Sequence, residues 1–301
     1  MNLKNYLSTH FIEDIQDLGG LSFKVWRNFQ ELDDSQTVIV FNYGLLCTFE
    51  HYKYQIKFFD ELKFPILLMD YRGHHPDNTA VEFEEITFEN MARDNIKLFE
   101  MYKLKHVHLV CHSMGVNVGL ETAIMVPEMV ESLTLISGSV FPPQNVMFNS
   151  NIINFLQPYI EGLYEQFPTA FDFVWKKQVK LDIVKKFVHV SGFNHKKVSE
   201  DFIEIYLETL TNYPPKLFFH LLNSMRDHNI LGELHLIDTP TLIISGDKDN
   251  IIPLHLQNII HEHLKNSELY IVNEGNHVPQ IDDPDLVNER MELFFSKIKV
   301  D

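Results

Sequence analysis

Two cysteines, Cys47 and Cys111, are all that the 301 residues contain. They are too few for a disulfide framework and show none of the spacings of a zinc site, so both are expected to be reduced and buried. Positive charge is also scarce, with 25 lysines and arginines against 42 carboxylates and a formal net charge of −17. A polyphosphate partner needs a basic surface, so no nucleic-acid partner is expected. No stretch approaches the roughly 20 apolar residues that cross a bilayer. The opening residues, Met1 to His10, lack an apolar core of signal-peptide length. These absences predict a cytoplasmic protein without a transmembrane segment. Internal repeats, low-complexity tracts and flexible linkers are missing too. What is present is a 45% apolar composition, enough for a sizeable core in one large α/β domain or two ordinary ones.

Strand-like and helix-like segments alternate for most of the length, the pattern of a mainly parallel sheet covered by helices on both faces. Strands are predicted at 37–41, 65–69, 107–110, 132–137, 240–245 and 269–272. Helices are predicted from about Glu50 to Leu62, Phe88 to Tyr102 and Pro284 to Ile298. From about Phe141 to Glu233 no comparable strand occurs, and helical patterns run between prolines. This predicts an inserted helical cap at 141–233, with 1–140 and 234–301 forming the core. Within the cap, Val174, Leu181, Val184 and Val188 are spaced as one helical face, and Phe148, Phe155, Phe167, Phe171, Phe173 and Trp175 are expected mostly in its core, with some lining an apolar roof over Ser113.

The run Leu109-Val110-Cys111-His112-Ser113-Met114-Gly115 has the form of a strand turning abruptly into a helix, with a serine at the bend. Such a strained turn pushes the central hydroxyl out above the sheet. Gly115, Gly119 and Ala123 then repeat every fourth residue, a flat helical face for close packing. A serine hydroxyl needs a base, and the base needs a third group to hold its tautomer and stabilise its cation. Asp249 and His277 each follow a predicted strand by a few residues, as Ser113 does, and functional groups in wound sheets gather beyond the carboxyl ends of strands. Asp247 competes with Asp249 for the acid.

With serine, acid and histidine in that order, the chain resembles the α/β-hydrolase family over nearly all of its length outside the cap. The resemblance implies a mostly parallel eight-stranded sheet flanked by helices, a Ser113–His277–Asp249 triad, and no cofactor. It selects Asp249 as the acid, three residues after Gly246 and before Ile251-Ile252-Pro253. It also implies an oxyanion hole of the Leu45 and Met114 backbone amides. Three departures stand out. Cys111 replaces the usual glycine two residues before the serine, and Tyr43 replaces histidine before Gly44. In the turn Asp70-Tyr71-Arg72-Gly73-His74, taken as structural, the following His75 replaces a common glycine. Tyr43 and His112 are candidate pocket-lining residues.

Other polar clusters read as structure. His106 with His108, and His261-Glu262-His263, lack a third ligand, so no metal site is expected. Lys176, Lys177, Lys180, Lys185, Lys186, Lys196 and Lys197 read as a polar helix face rather than as an anion site. The expected activity is hydrolysis of a small or medium ester, thioester or lactone with an apolar portion, through an acyl-enzyme. Carbon–carbon bond hydrolysis or acyl transfer would use the same triad, and a non-catalytic ligand-binding protein would keep only the fold. The sequence leaves the oligomeric state open.

Overall fold

A computed structural model describes residues 2–74, 81–178, 181–194 and 196–298. His75 and Lys180 lie outside the described residues. Among the described residues eight strands form one sheet: β1 (Ile12–Asp17), β2 (Ser22–Arg27), β3 (Thr37–Asn42), β4 (Ile66–Met69), β5 (His106–His112), β6 (Val130–Ile136), β7 (Thr241–Gly246) and β8 (Ser267–Val272). Their order is β1-β2-β4-β3-β5-β6-β7-β8. β1 and β2 pair antiparallel at one edge, and every pair from β4 through β3 to β8 is parallel. β1 and β2 are not among the strands predicted from the sequence, because charged and polar residues alternate with their apolar ones and break the continuous apolar run that marks the inner strands. As an edge strand, β1 is only half covered and needs none.

Apolar runs in β3 and β5 reflect burial on both sides. Ile39 and Phe41 point into one core cluster with Ile56 and Phe59 of α2 (Lys53–Glu61) and Val287 and Met291 of α11 (Pro284–Phe295). Val38 and Val40 point into the other, with Leu98 of α3 (Phe88–Met101), Val116 and Leu120 of α4 (Gly115–Met125) and Ile260 of α10 (Leu254–His263). This is the twofold alternation of strand side chains made into two layers. α1 (Leu3–His10) packs on the first layer through Leu3 and Leu7. Thr87 caps α3, its hydroxyl accepting from the Asn90 amide at 3.1 Å.

Between β6 and β7 lie α5 (Ile152–Gln166), α6 (Pro168–Gln178), α7 (Asp182–Gly192), α8 (Glu200–Asn212) and α9 (Pro215–Asp227). Val174 and Leu181 do not share a helical face with Val184 and Val188, because α6 ends before α7 begins; both are exposed. Nor are the aromatics of this segment mostly core: Trp175 is buried, while Phe155, Phe167 and Phe173 face solvent. Both cysteines are free and buried. Among the described residues no helix is long and apolar enough to cross a membrane.

Candidate active site

Ser113 sits between β5 and α4 with φ +53°, a left-handed conformation that costs a non-glycine residue on the order of 1–3 kcal/mol. The close approach behind the bend requires Gly115, where a β-carbon would lie 2.3 Å from the Asn42 carbonyl oxygen of β3. Cys111 fits without glycine because its thiol turns toward α4 at Gly119, and Asn42 Nδ2 contacts the sulfur at 3.7 Å. Burial pushes the Cys111 thiol up to about 12, so it stays protonated.

The loops after β7 and β8 bring two further groups to Ser113. His277 Nε2 lies 3.0 Å from Ser113 Oγ, and His277 Nδ1 lies 3.0 Å from Asp249 Oδ2. The other Asp249 oxygen accepts the amides of Ile251 and Ile252, each at 2.8 Å, which locks the carboxylate on its loop. Asp247 points elsewhere and pairs with Lys248 at 3.2 Å. His112 Nε2 lies 2.9 Å from the His277 carbonyl oxygen and donates to it, so the residue before the serine braces the loop that carries His277. Burial, then the nearby His277 and His51, hold the His112 imidazole well below its ordinary range.

The backbone amides of Leu45 and Met114 donate to no carbonyl among the described residues. Met114 is the N-cap of α4, so its amide lies at the positive end of the helix dipole. Above Ser113 and His277 lies a cavity of about 370 Å³, with Leu45, His51 and His112 on its floor. Its walls are chiefly apolar and come largely from the segment between β6 and β7, including Ile153, Leu156, Ile160, Phe193, Phe218 and Phe219.

Residues 37–284 match the family model described as alpha/beta hydrolase fold. The chain belongs to this family. Among the relatives of this hydrolase is a candidate carbamate hydrolase, RutD, of Stutzerimonas stutzeri, 21% identical over 238 residues, 75% of this chain and 82% of the relative. A candidate esterase/lipase of Haemophilus influenzae is 24% identical over 263 residues, 86% of this chain and 83% of the relative. Among solved structures, a bromoperoxidase from Bacillus anthracis superposes with a TM-score of 0.72 at 19% identity, over 95% of this chain and all of that one (100%).

Against the sequence expectations, the hydrolase keeps Tyr43 away from the cavity. Its hydroxyl donates to Asp70 Oδ1 at 3.2 Å and accepts the Tyr71 amide at 3.1 Å, and its ring packs on Phe49, Tyr71 and His74. The bulk that replaces histidine turns down into the core because partners wait there. His51, by contrast, reaches the cavity floor and was not singled out from the sequence. It stacks on His112, its Nε2 lies 3.6 Å from Cys47 Sγ, and burial pushes it down to about 4. The only available signal was its place just after the glycine loop at Gly44. His106 pairs with Glu131, and buried His108 meets Ser132 Oγ at 2.8 Å. Glu89, Glu121 and His228 hold three donor atoms within 4.8 Å of one another, away from the residues that line the cavity. His228 already contacts Asn117 Oδ1 and Glu121 Oε1 there.

Proposed function

We propose that this α/β-hydrolase is a serine esterase acting on a small or medium ester, thioester or lactone with an apolar portion. The observation that carries the reading is the continuous chain Ser113 Oγ, His277, Asp249, with both links at 3.0 Å, at the floor of an apolar cavity. Asp249 accepts from His277 Nδ1–H, which leaves Nε2 free to take the serine proton. Ser113 Oγ then attacks the carbonyl carbon, and the oxygen becomes an oxyanion between the Leu45 and Met114 amides. Each such donor is worth on the order of 3 kcal/mol in related chemistry. The intermediate collapses as His277 returns its proton to the leaving oxygen or sulfur. Water, deprotonated by the same nitrogen, releases the acid and restores Ser113. Neutral His112 steadies the imidazolium through the His277 carbonyl without adding a second positive charge. Residues 141–233 serve as the cap that selects the acyl or alcohol portion, over a core of 1–140 and 234–301.

Turnover of soluble p-nitrophenyl esters tests the reading. Wild type should hydrolyse them, and Ser113→Ala should lose on the order of a millionfold in rate. Equal rates in the two proteins would end the esterase proposal.

A further inference from the structure

The backbone around His277 is held from two directions. Its carbonyl oxygen takes a hydrogen bond from His112, 2.9 Å away. One residue earlier in the chain, the Asn276 amide donates to Asp282 Oδ2 at 2.6 Å. Asp282 ends the one-turn helix Pro279–Asp282 that follows the histidine loop, and it is buried. A buried carboxylate needs donors on its oxygens.

The second donor comes from the helical segment between β6 and β7. Asp282 Oδ1 accepts the amide of Asn194, just past the end of α7, at 3.0 Å. Asn194 then reaches the same loop again, its Nδ2 donating to the Glu274 carbonyl oxygen at 2.6 Å. Glu274 has φ +58°, a left-handed conformation that a non-glycine residue keeps only where its surroundings fix it. Gly192 and Phe193, which precede Asn194, line the cavity, as do His277 and Val278. Phe193 shares one buried cluster with Val278 and Ile281, so apolar contact joins the cavity wall to the histidine loop as well. A carboxylate accepts at both oxygens at once, whereas asparagine at residue 282 would turn an N–H toward one of the two amides.

We propose that Asp282 is a positioning residue: its one carboxylate ties the cavity wall at Phe193 and Asn194 to the loop that aims His277 at Ser113. His277 is then held at its ring by Asp249 and through its backbone by Asp282. An acyl group seated against Phe193 meets the same piece of structure that carries the base. Asp282 is not among the residues that line the cavity, so it acts through His277 and not on substrate. The role of His277 as a base rests on the esterase reading; the tie between wall and loop does not.

The test compares wild type with Asp282→Asn and Asn194→Ala on a soluble short-chain p-nitrophenyl ester, with active sites counted by fluorophosphonate labelling carried to completion. Asp282→Asn should lower kcat per labelled site by on the order of a hundredfold, as misplacing a reacting group by about 1 Å does. Its KM should stay nearly unchanged. Asn194→Ala removes the bond to Glu274 and leaves the amide on Asp282, so a smaller loss in the same direction is expected. That variant decides the matter should Asp282→Asn not fold. A role confined to stability would lower the urea midpoint and the number of labelled sites but leave kcat per site intact, and that result would overturn the proposal. A second readout needs no ester: the Nδ1–H proton of His277, held by Asp249, should give a downfield NMR resonance that exchanges with water faster in Asp282→Asn than in wild type. Equal exchange in the two proteins would also overturn the proposal. If wild type hydrolyses no ester, the esterase reading falls and this resonance alone decides the role of Asp282.

Discussion

The thiol of Cys111 occupies the space that Gly119 leaves on the neighbouring helix: a β-carbon at residue 119 would lie 2.3 Å from the sulfur. Overfilling a packed interior costs about 1–3 kcal/mol, so Gly119→Ala should destabilise the fold by that order. Cys111→Ala should remove most of the cost, since only the residue 111 β-carbon, 3.4 Å away, would remain against the new methyl. A urea-denaturation double-mutant cycle checks this. Additive effects would show that the two positions do not compensate.

The acid of the proposed triad is tested by contrast within one loop. Asp249→Asn should fold normally and lose about 10⁴-fold in kcat, as loss of the orienting carboxylate does in such triads. Asp247→Asn, whose carboxylate pairs with Lys248, should keep most activity. Steady-state kinetics of the two variants on one ester decides, and a reversed order would move the acid to Asp247.

Asp70 couples stability to pH. Burial raises its carboxyl from 3.8 to about 7 despite the Tyr43 hydrogen bond. The folded state therefore holds the proton more tightly than the unfolded chain, and the stabilising contribution is present below about pH 4 and lost as pH rises through 7. Asp70→Asn should gain on wild type between those values, by on the order of 4 kcal/mol at about 1.4 kcal/mol per pH unit. Unfolding free energies in urea at mildly acid and mildly alkaline pH measure it. A difference between the proteins that does not change with pH would refute the assignment.

If the proposed esterase binds its acyl chain in the cavity, the cavity walls set the preference for chain length. Each methylene buried against Phe218, Phe219 and Ile160 is worth about 0.8 kcal/mol, so kcat/KM should rise by up to about fourfold per carbon along a series of acyl esters until the cavity is full. Kinetics over that series tests the claim, and a flat profile would contradict acyl binding in this cavity.

What the sequence made legible was what repeats or bends sharply. The apolar runs of β3 to β7 and the turn at Ser113 announced the parallel sheet and the place of the serine, because buried strands and strained turns leave strong local marks. β1 and β2 left almost none, since an edge pair is held by cross-strand contacts that no local pattern records. Tyr43 was misplaced for a related reason: which way its ring turns depends on Asp70 and Tyr71, some 27 and 28 residues away in the chain. His51 and the wall of the cavity depend on how the helices between β6 and β7 sit over the sheet. Similarly, the exposure of Phe155, Phe167 and Phe173 could not be told from core burial by composition alone.

The central claim is that Ser113 is an activated nucleophile, and intact mass after exposure to a fluorophosphonate probe tests it most directly. One adduct on wild type and none on Ser113→Ala is the predicted result. An unlabelled wild type, or equal labelling of both proteins, would contradict it.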